Sequence, residues 1–146
     1  GANAPMTRAM LVTALHRAAG SPEVAPSDAF SDLPAGTPLA AAASWARDAG
    51  VVNGMGDGSF MPDASVTREQ IAAMLFRYAG HRGADTGAKG DLAAFADADG
   101  IADWAVEALA WAVGARVING MGDGSVAPRG TATRAQVAQM LLNDSR

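Results

Sequence analysis

An internal repeat with a spacing of 66 residues is the feature of this sequence that most constrains its fold. The heptapeptide Asn-Gly-Met-Gly-Asp-Gly-Ser at 53–59 recurs unchanged at 119–125, and Trp45 and Trp111 have the same spacing. Such repeats are typical of folds in which similar units pack together, because one unit cannot bury both faces of its own helices. The sequence therefore predicts a molecule built from copies of one helical unit.

The parts of each unit follow the same order. A Phe-x-Asp triplet at 30–32 and 95–97 opens the unit, and an Ala-rich helix follows at 38–49 and 102–115. The repeated heptapeptide comes next as a Gly-rich turn. The unit then closes with a helix that begins at a Thr-Arg pair.

Three closing helices are predicted. Their Thr-Arg pairs are Thr7-Arg8, Thr67-Arg68 and Thr133-Arg134. Thr is a favourable N-cap, and Gln70 and Gln136 complete a capping box in two copies, whereas Met10 breaks it in the first. Gly20 and Gly80 indicate where the first two closing helices end.

We predict one domain over residues 1–146. Residues 1–20 are assigned to the closing helix of a truncated first repeat, 21–80 to a complete repeat, and 81–146 to a linker and a second complete repeat. The Gly-rich segment 80–91 is expected to be a mobile linker. The fold class is mainly α, with the closing helices in a central three-helix bundle and the other helix and turn of each unit projecting outward as a prong.

The composition excludes several classes of function. The 146 residues contain no Cys and only two His, so a disulfide framework and a thiolate zinc site are excluded and a histidine metal site is disfavoured. A net charge of −4 disfavours nucleic acid, and no apolar run approaches the roughly 20 residues of a membrane span. The turns lack the ligand spacing of a calcium loop and the Gly-Lys-Ser/Thr of a phosphate loop. Because a catalytic centre is normally single, whereas these acidic residues are duplicated with their units, we expect no enzyme, cofactor or metal.

Three arginines are the first candidate binding residues. Arg8, Arg68 and Arg134 each follow an N-cap, where a cation opposes the positive end of the helix dipole. One compensating partner is an external anion bound by the helix N-terminus and the guanidinium together. The other is an internal acid, for which Asp32 and Asp97 are the obvious residues. The two alternatives are compatible if the Asp orients the Arg and the Arg binds the ligand.

The turns and the tryptophans supply the remaining candidates. The turn residues are Gly54, Met55, Gly120 and Met121. Either the turns donate backbone N–H groups to a ligand, or they only return the chain to the next helix. Trp45 and Trp111 either stack on a sugar ring or pack in the core. The apolar pairs at 51–52 and 117–118, just before the turns, are predicted to be very short strands.

With these residues assembled, the chain resembles the S-layer homology (SLH) domain family. Units of that family open with Phe-Ser-Asp, contain Trp-Ala in a helix, turn through Gly-x-Gly-Asp-Gly-x-Phe-x-Pro, and close with Ile-Thr-Arg-Ala-Glu. The matching segments here are 30–32, 45–46, 54–62 and 66–70, and again 95–97, 111–112, 120–128 and 132–136. The motif Glu is replaced by Met10, Gln70 and Gln136, and the motif Phe of the last unit by Val126.

The resemblance implies a three-pronged pseudo-trimer that serves as a non-catalytic anchor of a secreted bacterial protein at the cell surface. Such domains bind secondary cell-wall polysaccharide, often through a pyruvylated amino sugar, in grooves between units. The principal ligand contact of the family then falls on Arg8, Arg68 and Arg134. The Arg68→Ala change is accordingly expected to weaken polymer binding and leave the fold intact. The alternative function is a structural or protein–protein module that binds no glycan.

Overall fold

The computed structural model describes residues 4–24, 30–34, 36–52, 58–120 and 123–144. Within these ranges the chain forms five α-helices and three 3₁₀ turns, and no strand. The α-helices are α1 (Arg8–Ala18), α2 (Pro38–Asp48), α3 (Arg68–His81), α4 (Val106–Gly114) and α5 (Arg134–Asp144). The 3₁₀ turns are Leu92–Ala94, Ala98–Gly100 and Asp103–Ala105. The predicted mainly α class is therefore confirmed.

The predicted N-caps are confirmed at all three closing helices. Thr67 Oγ1 accepts from the Gln70 N–H at 3.2 Å, and Gln70 Oε1 accepts from the Thr67 N–H at 2.9 Å. Thr133 and Gln136 exchange the same two bonds at 3.2 and 2.9 Å. Thr7 caps α1 through the residue 10 N–H at 3.2 Å, but the Met side chain there has no oxygen to return the bond. The closing helices thus begin where the Thr-Arg pairs predict.

The helix ends follow the predicted glycines with one difference. Gly20 follows α1 in the left-handed region, at φ +90°. Gly80 instead lies inside α3, which ends one residue later at His81. The residue that takes the left-handed conformation after α3 is Gly83, at φ +75°. Its N–H donates to the Gly80 carbonyl at 3.2 Å, and the next N–H donates to Ala79 at 2.9 Å, which closes the helix as a Schellman motif.

The prediction of short strands before the turns is wrong. The N–H groups of Val117 and Ile118 both donate to the Ala112 carbonyl, at 2.8 and 3.1 Å, and both side chains are buried. The N–H groups of residues 51 and 52 likewise both donate to the Ala46 carbonyl, at 2.8 and 3.2 Å. The orphan carbonyl at the end of a helix satisfies the two donors, so these apolar pairs need no partner strand.

The chain divides into two compact units. The α1 unit is Thr7–Ser65, and the α3 unit is Gly1–Met6 with Val66–Arg146. In the first, α1 packs on α2, and in the second, α3 packs on α4. Each pair joins the closing helix of one repeat to the Ala-rich helix of the next. The central bundle of three closing helices stays a prediction.

The segment 80–91 is irregular after α3, and its end is anchored on α4. The Gly90 N–H donates to the Ala110 carbonyl at 2.7 Å. A Cβ at Gly90 would lie 2.6 Å from Val113 Cγ1, and one at Gly114 would lie 2.7 Å from the Gly90 nitrogen. Only glycine allows so close an approach of the two backbones. The mobility predicted for the rest of this segment stays a prediction.

Candidate functional site

Arg8 and Arg68 make the same contact in their respective units. Arg8 Nε donates to the Phe60 carbonyl at 2.7 Å, and Arg68 Nε donates to the Val126 carbonyl at 2.8 Å. Phe60 and Val126 occupy equivalent positions after the repeated turn. Arg68 Nη2 also donates to the carbonyl of Asn119, the first residue of that turn, at 2.6 Å. Both arginines therefore bind the main chain around their turns.

An aspartate holds the opposite side of the same peptide. The Asp97 carboxylate accepts from the N–H groups of Val126 and Ala127, both at 2.9 Å. Asp32 accepts from residues 60 and 61 in the same way, at 2.8 and 2.9 Å. The residue after each turn is thus held by an Asp at its N–H and by an Arg at its C=O. We call this repeated arrangement the turn clamp.

The turn clamp gives the arginines a kind of partner other than the external anion and the internal acid that were predicted. Arg8 and Arg68 donate to main-chain carbonyls, and Asp32 and Asp97 accept from N–H groups of the same main-chain segments. Burial lowers the pKa of both guanidinium groups, and the nearby Asp in each clamp opposes that shift. The pKa of Asp97 is lowered, chiefly by the hydrogen bond that its carboxylate accepts from the Val126 N–H.

The three arginines differ in exposure. Arg68 is 4% exposed, whereas Arg8 is half-buried and Arg134 is exposed. The motif alone predicts three equivalent residues, but the surroundings of each helix start differ. A role that all three arginines share can therefore rest only on their common position at the start of a helix.

The two repeated tryptophans lie in the core. Trp45 is 5% exposed, and its ring centroid is 5.5 Å from that of His16. Trp111 is 3% exposed, with its ring 5.6 Å from Phe76. The positions of both rings agree with the predicted core-packing alternative, because rings so deeply buried are unavailable for stacking on a sugar. Leu142 of α5 holds the position equivalent to His16 and Phe76 and is 54% exposed.

The turn residues are described only in part. Gly54, Met55 and Met121 lie outside the described residues. Gly120 is described, and a Cβ there would lie 2.8 Å from Phe95 Cε1. Glycine at 120 is therefore required by the packing of the turn itself, whatever a ligand adds.

A groove of about 270 Å³ lies beside the clamp of the α3 unit. Its walls are Arg68, the segment 117–120 and one face of α5. The α5 residues are Gln136, Gln139, Met140 and Asn143. Among the lining residues in the described ranges, Arg68 is the only ionised side chain. We call this cavity the Arg68 groove.

The amide side chains of the Arg68 groove were missed by the sequence reasoning. Gln136 was identified only as a capping residue, and Gln139 and Asn143 were not identified. Their positions, three and then four residues apart, fall on one face of a helix, and this spacing is the signal that was available. In the structure Gln139 Nε2 donates to Asn143 Oδ1 at 2.9 Å. The face presents both hydrogen-bond donors and acceptors.

The part of the chain that the structure describes lacks two kinds of feature. No cluster of three or more His, Asp or Glu side chains there could hold a metal ion. No helix there is long and apolar enough to cross a membrane.

Comparisons with known proteins agree with the repeat pattern. The family described as "S-layer homology domain" matches residues 29–72 and 94–138. The chain is 31% identical over 95% of its length to an amylopullulanase of Thermoanaerobacterium thermosulfurigenes, and 32% identical over 93% to Exoglucanase XynX of Acetivibrio thermocellus. It is 30% identical over 66% to an endoglucanase of Bacillus sp. (strain KSM-635). The matches cover only 7%, 12% and 10% of these relatives.

The two family matches together cover more than half of the chain, and each runs from a Phe-x-Asp opening to a Thr-Arg closing helix. The same two segments carry Asp32 and Asp97 of the two turn clamps and the capped starts of α3 and α5. The chain therefore belongs to the S-layer homology domain family.

Proposed function

We propose that the chain is a non-catalytic cell-wall binding module, which anchors a secreted bacterial protein at the cell surface by binding an anionic secondary cell-wall polysaccharide, for which a pyruvylated polymer is the candidate. Family membership supports this function. The relatives support it as well, because the matched segment is a small part of three enzymes with different names. A segment shared in this way is more consistent with a common accessory module than with a catalytic centre.

The observation that carries the proposal is the Arg68 groove. One cation and several amide groups line it, which suits a sugar ring that bears a carboxylate. Because the guanidinium is largely removed from water, its field on an anion in the groove is less screened than that of a surface arginine. The amides of Gln139 and Asn143 supply donors and acceptors for sugar hydroxyls.

The turn clamp supports positioning roles for the other site residues. Asp97 and Arg68 fix the main chain beside the groove, and Arg68 also supplies the positive charge of the site. Asp32 and Arg8 hold the corresponding turn of the α1 unit. The buried Trp45 and Trp111 support the prongs from within the core. Arg134 remains a proposed ligand contact from the family resemblance, and Gly54, Met55, Gly120 and Met121 remain proposed contacts through backbone N–H groups of the turns.

The test uses charge changes on the exposed face of α5, where they leave the clamp intact. Gln139→Glu places a negative charge in the Arg68 groove and is expected to weaken binding about fivefold, the equivalent of ~1 kcal/mol. Gln139→Lys is expected to strengthen binding. Ala138→Glu is the matched control, since it adds the same charge to an exposed position of α5 outside the groove lining.

Binding is measured by sedimentation of the protein with isolated cell-wall sacculi, before and after the polysaccharide is stripped. The proposal expects binding only to unstripped sacculi, with Gln139→Lys above wild type, wild type above Gln139→Glu, and Ala138→Glu equal to wild type. Equal binding to stripped sacculi, or no binding at all, contradicts the proposal. In that case the alternative, a structural or protein–protein module, becomes the better account.

A further inference from the structure

Trp104 is exposed although the other two tryptophans are buried. Its relative exposure is 57%, against 5% for Trp45 and 3% for Trp111. Trp104 forms one wall of a groove of about 370 Å³ in the α3 unit. Asp103 and Glu107 lie on the same wall, and Phe76 and Arg77 of α3 form the facing wall. We call this cavity the Trp104 groove.

The position of Trp104 is held by buried contacts. It lies in the 3₁₀ turn Asp103–Ala105, whose Ala105 is fully buried. The Ala102 N–H, two residues before the indole, donates to Glu69 Oε2 at 3.1 Å. Glu69 is only 6% exposed, so a buried carboxylate fixes the backbone that presents the ring. The exposed indole therefore stands on an anchored turn.

The repeat does not require a tryptophan at this position. Pro38, the first residue of α2, is the equivalent in the α1 unit. Among its described lining residues the groove beside α1 has no aromatic side chain, and its main residues are Ala9, Met10 and Leu39. Ala9 also stands where Glu69 stands in α3. The α3 unit thus has both the Trp104 ring and the Glu69 carboxylate that holds its turn, whereas the α1 unit folds with neither.

The chemistry of the Trp104 groove suits an uncharged sugar. An indole face packs against the C–H groups of a pyranose ring, and the carboxylates of Asp103 and Glu107 accept from its hydroxyl groups. Two carboxylates against one guanidinium, that of Arg77, give the lining a net negative charge. This charge repels an anionic residue, the opposite of the preference expected at the Arg68 groove.

We propose that the Trp104 groove is a second carbohydrate site, which binds an uncharged pyranose residue of the wall polymer. The inference rests on the proposed function, because that function supplies the polymer. The two grooves of the α3 unit then bind chemically different residues of one chain, and a polymer that occupies both is held more tightly than one that occupies either.

The test measures acrylamide quenching of intrinsic fluorescence, which reports mainly Trp104 because the other indoles are buried. The probe is the purified wall polysaccharide, used native and after mild acid has removed its acidic ketal groups. The treated polymer is expected to protect Trp104 from quenching, and Gln139→Glu is expected to leave this protection unchanged. Calorimetry with the treated polymer is expected to show a loss of about tenfold in affinity for Trp104→Ala and a smaller loss for Trp104→Phe. Val106→Ala, an exposed change on α4 outside the groove, is expected to have no effect.

The remaining outcomes separate this inference from the proposed function. If sacculi still bind the protein but neither polymer protects Trp104, the second site is wrong and the anchoring function stands. If only the native polymer protects Trp104 and Gln139→Glu abolishes the protection, the ring reports the Arg68 groove and the second site is again wrong. Protection that grows with protein concentration without polymer means that another copy covers the ring, which also overturns the inference.

Discussion

Removal of the Arg68 side chain is the perturbation whose effect the structure defines best. The guanidinium donates to the Val126 carbonyl at 2.8 Å and to the Asn119 carbonyl at 2.6 Å, at the two ends of one turn. Arg68→Ala removes both donors and, because the side chain is 4% exposed, leaves the carbonyls in a poorly solvated place. We therefore expect the variant to lose fold stability, contrary to the expectation from the motif alone.

The size of this loss follows from two opposing effects. Each hydrogen bond to a charged group contributes about 1.5–3 kcal/mol, so the two bonds together contribute several kcal/mol. Burial of the guanidinium opposes this gain, as the lowered pKa of Arg68 indicates. The expected net loss for Arg68→Ala is about 2–4 kcal/mol in the free energy of unfolding.

The other two arginines provide matched controls at the same helix position. Arg134 is exposed, so Arg134→Ala is expected to change the free energy of unfolding by less than about 0.5 kcal/mol. Arg8 is half-buried, donates to the Phe60 carbonyl at 2.7 Å and lies 4.8 Å from the centre of the Phe60 ring. Arg8→Ala is expected to fall between the other two. The structure thus predicts a graded series for three residues that are identical in the motif.

Urea unfolding measures the series. Buried Trp111 reports the α3 unit and buried Trp45 the α1 unit, so separate single-tryptophan backgrounds resolve the two. The loss from Arg68→Ala is expected in the Trp111 signal, and that from Arg8→Ala in the Trp45 signal. The reasoning is refuted if Arg68→Ala and Arg134→Ala are equally stable, because the two carbonyl contacts would then contribute nothing to the fold.

Two further predictions concern the ends of α4 and the turn clamp. Arg116 follows α4 and has φ +62°, whereas Gly50, its equivalent after α2, has φ +77°. Because this left-handed conformation strains a residue that has a side chain, Arg116→Gly is expected to raise the free energy of unfolding by about 0.5–1 kcal/mol in urea titration. A lower free energy of unfolding would contradict this reasoning. Asp97→Asn is expected to lower stability at pH 7 by less than about 1 kcal/mol, since the side chain is partly exposed and screened. The folded-state pKa of Asp97 is lowered, so its stabilisation is present above the ordinary carboxyl pKa, about 3.9, and is lost as pH falls through the folded value. Wild type should therefore lose more stability than the variant over that acid range in a pH series of thermal melts; equal losses would contradict the assignment.

Local signals in the sequence were sufficient for the starts of the closing helices, whereas α4 begins at Val106, four residues after the predicted start of its helix. The Thr caps at 7, 67 and 133 and the helical spacing of apolar residues are properties of a few neighbouring side chains, and all three closing helices begin where predicted. The short strands were predicted wrongly because β-branched pairs satisfy strand propensity in sequence. In the structure the carbonyl of Ala112 satisfies the N–H groups of Val117 and Ile118 without a second strand.

The site could be predicted only in part, because the burial of each residue depends on groups far along the chain. The motif identified Arg68 and Asp97, but Val126, which lies between them in space, is 58 residues from Arg68. Trp104 has no equivalent in the other repeat, where Pro38 stands, so the repeat pattern does not identify it as a site residue. That difference is itself informative, since a side chain that the shared fold does not need is free to serve a ligand.

The acidic composition of the chain does not oppose binding of an acidic polymer. A net charge of −4 is spread over the whole chain, and at physiological ionic strength a charge is screened beyond about 8 Å. An anion in the Arg68 groove therefore responds mainly to the guanidinium beside it, and the carboxylates of the Trp104 groove govern their own cavity. On this reasoning a change of net charge far from both grooves alters binding little, whereas one charge placed at residue 139 alters it several-fold. Under the proposed function, local burial of one arginine, fixed by the turn clamp, thus determines the charge preference of the Arg68 groove.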